Sequence, residues 1–257
     1  MFTKRKISDI IYLGIIIIIL IVLSLTIEES KHKIEIIELE GNNYLSKEHY
    51  LNFANLKDNS NYENLSLAII RDRVSKHPYI ENVNVKYEEN NKVTITVKEK
   101  GIYSLLSIDN SQFLLSNRFE VLPVLSGIKD LDYPVISNPN VEEKIKEFDF
   151  LNKSNEIQIS SKIIQTLKLS NIELYENLSE IDLRKGGDII IYFSIINYPV
   201  VIGRQNEIYK IFYFNEIWNS LKQSEINDII DYIDLRYNNF IYLGIGNILS
   251  ESKENQI

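Results

Sequence analysis

Residues 64–100 read NLSLAIIRDRVSKHPYIENVNVKYEENNKVTITVKEK, and the fold turns on how this stretch is parsed. Leu67, Ile70 and Val74 recur at i, i+3 and i+7, which puts them on one face of a helix. Arg71, Asp72, Arg73 and Lys76 cover the other side. Pro78 ends the helix, because a proline disfavours helical geometry in the residue before it. The pattern then switches to alternation. Val83, Val85 and Tyr87 point one way, and after a turn at residues 88–91 so do Val93, Ile95 and Val97. That pattern predicts an antiparallel hairpin with one buried face.

Upstream, KIEIIELEG at residues 33–41 gives a short strand through Ile34, Ile36, Ile37 and Leu39, closed by Gly41 and the turn formers Asn42 and Asn43. Ser46 is an N-cap without a capping box, since His49 rather than Glu stands three residues on. Tyr50, Phe53 and Ala54 follow at helical spacing. The order strand–helix–helix–strand–strand over residues 34–100 predicts a compact α+β domain, a small sheet covered on one face by two helices.

Downstream, residues 113–138 predict a strand–turn–strand segment. Residues 141–170 read as mainly helical, with Ile163, Ile164 and Leu167 in one stripe. Residues 178–205 predict three strands with a turn at Gly186-Gly187. Residues 206–223 predict an amphipathic helix burying Ile208, Ile211, Phe212 and Trp218. The last ordered stretch, DYIDLRYNNFIYLGI at 231–245, reads as two strand-like runs around Asn238-Asn239, before a polar tail at 246–257. A strand this late is expected at a sheet edge, where unpaired N–H and C=O groups invite another chain. The expected class is α+β, with residues 101–245 forming a mostly antiparallel second domain.

The amino terminus adds a membrane expectation. Residues 10–27 carry no charge, about the length needed to cross a bilayer as a helix. Lys4, Arg5 and Lys6 precede the run, and Glu28 and Glu29 follow it. By the positive-inside rule residues 1–6 stay in the cytoplasm, residues 7–27 are the single membrane span, and the remainder is exported. The alternative is an export signal that is cleaved poorly or not at all.

Composition narrows the chemistry. A formal net charge of −8 without an Arg/Lys stripe does not suit nucleic acid. Zero cysteines exclude thiol catalysis, disulfides and Cys-based zinc sites. His32, His49 and His77 share no metal-ligand spacing and read as surface or cap residues. Residues 160–163 read Ser-Ser-Lys-Ile, not Ser-x-x-Lys, and Glu142-Glu143 reads as a solvated face. Gly186-Gly187 lacks the strand–loop–helix setting of a phosphate site. The expectation is a non-enzymatic protein with no metal and no cofactor.

With these pieces in place, residues 34–100 resemble a POTRA domain: a Gly-Asn turn after the first strand, then His77-Pro78-Tyr79-Ile80 at the end of the second helix, then a Val-x-Val strand and hairpin. One such domain directly after a signal-anchor helix resembles the FtsQ/DivIB division proteins. The likeness continues through Gly186-Gly187, Ile202-Gly203, Tyr209-Lys210-Ile211 and Asp234-Leu235-Arg236-Tyr237. The resemblance implies a bitopic scaffold of the division machinery. Its partners would be small coiled-coil proteins like FtsB and FtsL and septal peptidoglycan synthesis enzymes, taken up by strand addition at the last strands. It also implies Arg236 and Tyr237 as partner-binding residues, followed on the same expected strand by Asn239 and Phe240. Arg184 and Lys185, expected on the strand before Gly186, are further candidates for acidic partner groups. The competing reading is an envelope chaperone or secretion subunit whose POTRA domain binds extended polypeptides. A membrane-anchored hydrolase is a third.

Overall fold

A computed structural model describes residues 14–19, 33–58, 62, 65–129, 131–141, 144–237 and 240–246. Of the expected span at 7–27, residues 14–19 are helical, with Ile15 to Ile19 exposed, and the rest lies outside the described residues. Among the described residues no helix is long and apolar enough to cross a membrane.

The first unit is built as its periodicities require. Strand β1 (Ile36–Glu40) leads to α1 (Lys47–Phe53), α2 (Leu67–Ser75), β2 (Ile80–Glu88) and β3 (Lys92–Glu99). The Ser46 hydroxyl accepts from the His49 amide and caps α1. The sheet order is β1-β3-β2, with β2–β3 antiparallel and β1–β3 parallel. Ile70 and Val74 of α2 are buried with Leu39, Tyr50, Val83, Val85, Val93, Ile95 and Val97. Gly41 has φ +86°, and a Cβ there would stand 2.2 Å from the Val97 carbonyl oxygen, so this turn admits only glycine. The Glu99 carboxylate collects the Asn43 and Tyr44 amides and the Tyr50 hydroxyl, tying the end of β3 to the β1–α1 turn.

The second unit is a nine-stranded mixed sheet in the order β12-β11-β10-β9-β8-β7-β4-β5-β6. Its strands are β4 (Ile102–Ile108), β5 (Ser111–Ser116), β6 (Val121–Pro123), β7 (Val135–Ser137), β8 (Leu178–Asp182), β9 (Ile190–Phe193), β10 (Val200–Val201), β11 (Ile230–Asp234) and β12 (Tyr242–Ile245). Most neighbours are antiparallel, but β4–β7, β7–β8 and β10–β11 are parallel. Helices α3 (Asn155–Ser170), α4 (Ile172–Glu176) and α5 (Glu207–Leu221) supply the covering layer. Ile163, Ile164, Leu167, Ile211, Phe214 and Trp218 are buried with the sheet residues Leu106, Ile136, Ile181, Ile191, Val200 and Ile233.

Some expectations change here. The helix expected over 141–170 occupies only α3, because residues 148–151 run along β6 instead. Phe148 donates to the Val121 carbonyl at 2.7 Å, Val121 to Asp149 at 2.9 Å and Leu151 to Phe119 at 2.8 Å. Glu142-Glu143 lies outside the described residues. Phe212 is 52% exposed rather than buried, since the core face of α5 is taken by Ile211, Phe214 and Trp218. His77 is not a surface residue but 2% exposed. Its ring sits among Tyr50, Phe53, Tyr79 and His49, and its Nδ1 accepts the Tyr79 amide at 3.2 Å.

The His-Pro-Tyr-Ile stretch also joins the two units. The Tyr79 hydroxyl, wholly buried, donates to the Pro123 carbonyl at 2.7 Å and accepts the Leu125 amide at 3.0 Å. The Tyr44 hydroxyl accepts the Ile102 amide at 3.3 Å, and the Tyr44 carbonyl accepts Lys129 at 2.8 Å. Ile102, Leu114 and Leu122 of the large sheet pack into the same core as Tyr79 and Val83.

Burial, with the nearby His49 and Lys100, pulls the His77 pKa down to about 4. The unfolded chain binds this proton near pH 6.5. Stability linked to His77 is therefore present above pH 6.5 and lost as pH falls toward 4, on the order of 2 kcal/mol by pH 5. Urea midpoints measured from pH 7 to pH 5 are expected to fall less steeply for His77→Asn, which keeps an acceptor for Tyr79. Parallel pH curves for the two proteins would remove His77 as the cause.

Candidate functional site

The carboxyl-terminal hairpin is organised around one buried carboxylate. Asp234, at the end of β11, is 3% exposed. It accepts the Arg236 amide at 3.0 Å, Nε at 3.0 Å and Nη2 at 2.6 Å. Arg236 reaches on to Asp188, which accepts from Nη1 at 2.8 Å. Burial works to raise the Asp234 pKa, but the hydrogen bonds and charge of Arg236 outweigh it and hold the carboxyl below its ordinary value. Asp234 and Asp188 in turn push the Arg236 pKa up.

Pieces far apart in the chain meet here. Gly203 has φ +68°, and a Cβ on it would stand 2.7 Å from Arg236 Cγ, so glycine makes room for the arginine stem. Lys210, on the first turn of α5, is buried and donates Nζ to the Ile202 carbonyl at 2.8 Å and the Arg204 carbonyl at 3.4 Å. Desolvation lowers its pKa, against the pull of Glu207, Asp188 and Asp234. The cluster thus pins β10, α5 and β11 together behind the hairpin.

Strand β11 has neighbours on both sides, β10 and β12, whereas among the described residues β12 has only β11. The register pairs Asp234 with Tyr242 and Tyr232 with Gly244. A Cβ at Gly244 would stand 2.2 Å from the Tyr232 ring, so the ring lies directly over the glycine. Tyr237 meets Tyr242 edge-on at 4.8 Å between ring centroids. Tyr232, Tyr237, Phe240, Tyr242 and Ile245 are all exposed, at 44–65%. The hairpin therefore offers an outer backbone edge without a neighbour among the described residues, flanked by aromatic side chains.

The expected site residues fare differently. Arg236, Tyr237 and Phe240 belong to this hairpin but lie in its connection rather than on an alternating strand, since β12 begins at Tyr242. Asn239 lies outside the described residues. Arg236 is committed to two carboxylates, so its first role is to hold the hairpin. Arg184 and Lys185 are not on a strand. They form a 3-10 turn with φ of 47° and 50° in the β8–β9 connection, where Arg184 pairs with Asp182 and Lys185 with Asp109. For Tyr232, Tyr242 and Gly244 the sequence carries one signal, a lone glycine inside a strand pattern. Asp188 had no local signal at all.

Residues 32–100 match the family described as POTRA domain, FtsQ-type, and residues 106–236 match the one described as cell division protein FtsQ/DivIB, C-terminal. The chain belongs to the FtsQ/DivIB family of cell division proteins. It is 29% identical over 245 residues to cell division protein DivIB of Clostridium botulinum (strain Hall), covering 91% of this chain and 90% of the relative. Identity to DivIB of Clostridium acetobutylicum is 24% over 228 residues, 85% of each chain. Identity to cell division protein FtsQ of Geotalea daltonii is 23% over 209 residues, 81% of this chain and 74% of the relative. The family's C-terminal match ends at 236, on the arginine that locks the hairpin.

The two carboxylates around Arg236 differ in exposure, 4% for the Asp234 side chain and 39% for Asp188. The larger penalty falls where a buried charge is left unpaired, as Asp234 is when Arg236 is removed. Arg236→Met is expected to cost about 3 kcal/mol of unfolding free energy, and Asp188→Ala under about 1 kcal/mol. Equal losses in urea titrations would mean that the cluster does not hold the hairpin.

Proposed function

We propose that this protein is a bitopic, non-enzymatic scaffold of the division machinery. Residues 7–27 anchor it in the cell membrane with residues 1–6 in the cytoplasm, and the remainder faces outward. In this reading it recruits small single-span coiled-coil partners, FtsB/FtsL-like, and through them septal peptidoglycan synthesis enzymes. Recruitment works by strand addition at β12. The observation that supports this most is that outer edge, without a neighbour among the described residues. An added strand would gain main-chain hydrogen bonds from β12, and alternate side chains would be selected by the surface beside it. Tyr237, Phe240 and Tyr242 supply exposed aromatic area next to the edge, the residue type that dominates interface energetics.

The opposite end of the sheet supports the assignment by contrast. There β6 is covered by residues 148–151, with Glu120 and Phe150 forming a bridge. One edge is sealed by the chain itself, and the other has no neighbour among the described residues.

Phe240→Asp and Tyr242→Asp are each expected to weaken partner capture from solubilised membranes at least about tenfold, a loss of about 1.4 kcal/mol or more. Their urea midpoints are expected to stay within about 0.5 kcal/mol of the parent, as for exposed positions generally. Undiminished capture by both variants would rule the β12 edge out as the docking surface.

A further inference from the structure

We propose that the groove between the carboxyl end of α3 and the outer face of α5 binds a proline-rich segment of a partner, extended as a polyproline II helix and carrying a Lys or Arg. The groove shares no residue with β12, and the proposal depends on neither strand addition nor the membrane anchor.

The groove has a volume of about 460 Å³ and lies where α3 and α5 pack together. Tyr209, Phe212 and Tyr213 of α5 form one wall. At i, i+3 and i+4 they share one face of the helix. The Tyr209 and Tyr213 rings are stacked, with centroids 6.3 Å apart and planes 16° apart, so they offer two near-parallel surfaces. Ser170 and Asn171 line the opposite wall. On either side of them in the chain stand Leu169, 89% exposed, and Ile172, also exposed. Large apolar side chains left in water at one place mark an interaction site.

Between these apolar surfaces stand polar groups that lack partners. Asn215 is 6% exposed and lines the groove. Its Nδ2 donates to Ser170 Oγ at 2.7 Å, but its buried Oδ1 has no hydrogen-bond partner among the described residues. Asn171 Oδ1 accepts the Leu174 amide at 3.1 Å, which leaves Nδ2 as a donor. The hydroxyls of Tyr209 and Tyr213 and the side-chain amide of Asn219 make no hydrogen bond among the described residues. Glu216, exposed on the same groove, forms no ion pair among them.

These features select the ligand. An α-helix brings a backbone already bonded within itself, so it would bury the amides and hydroxyls of the groove unpaired. A β-strand needs a sheet edge to pair with, and both walls here are helical. A carbohydrate would use the tyrosine rings and the amides but not Leu169 and Ile172. A polyproline II segment uses both kinds of group. Its rings and aliphatic side chains pack on aromatic walls, and its carbonyls have no partner of their own. The tyrosine hydroxyls and asparagine amides are donors for those carbonyls. Asn215 Oδ1 would accept the N–H of a residue that is not proline. Glu216, on a chain of net charge −8, favours a cationic side chain in the ligand.

The probe is a fluorescein-labelled peptide of Leu-Pro-Pro repeats ending in Arg, added to the full chain in phosphatidylcholine nanodiscs. Its anisotropy is expected to show saturable binding. Tyr209→Ala is expected to weaken that binding at least about tenfold. Glu216→Lys is expected to weaken it several-fold and to favour the same peptide ending in Glu. Both positions are exposed, and unchanged urea midpoints check that the variants fold. Phe150→Ser, which removes an exposed aromatic from the strap over β6, is expected to bind as the parent does. No saturable binding up to about 1 mM overturns the proposal. So does equal binding of a peptide built with D-proline, or an equal loss with Phe150→Ser. Binding of chitotetraose in place of the peptide makes the groove a carbohydrate site and overturns it as well. None of these results bears on partner capture at β12.

Discussion

A β-sheet that does not close on itself has two edges, and at each a row of backbone amides and carbonyls must find partners. That constraint organises the second half of this protein. At β6 the chain solves it internally: residues 148–151 give up the helix that their composition suggests and bond to the edge instead. At β12 no such strap exists among the described residues, and the flanking side chains are large and aromatic rather than Lys or Pro. A four-residue strand of this kind is a weak element by itself. It is held in place by β11, which the Asp234–Arg236–Asp188 cluster fastens to β10 and α5.

The family resemblance acquires a physical meaning from that cluster. Ile202-Gly203, Lys210 and Asp234-Arg236 are three separate short pieces along the chain, yet Lys210 bonds to Ile202 and Arg236 packs against Gly203. Arg236, bonded to both Asp234 and Asp188, braces the last hairpin from behind. His77-Pro78-Tyr79-Ile80 is likewise a structural device. His77 organises an aromatic nest inside the first unit, and Tyr79 carries the hydrogen bonds that join it to the second.

Much of the fold was legible in local pattern. The hairpin β2–β3, the capped α1 and the apolar face of α2 follow from period and capping alone, because the forces that form them act within a few residues. The Ser46 cap and the buried Val83, Val85, Val93, Ile95 and Val97 show this directly. What local pattern hides are choices made by distant partners. Nothing near Phe148 announces that its amide will bond to Val121. Nothing near Phe212 says that Ile211 and Phe214 will take the core side of α5. Arg184 and Lys185 look like strand residues until the left-handed turn is seen, and Asp188 gains its importance only from Arg236, forty-eight residues away. The last hairpin was legible as a candidate region, but its outer strand is Tyr242–Ile245 rather than residues 236–240.

Amide hydrogen exchange, read residue by residue on the intact chain with and without its captured partner, tests the account most directly. Strand addition predicts that amides of Tyr242–Ile245 slow markedly on binding while those of β2 in the first unit do not change. A bound complex in which β12 exchanges as fast as in the free protein would contradict it.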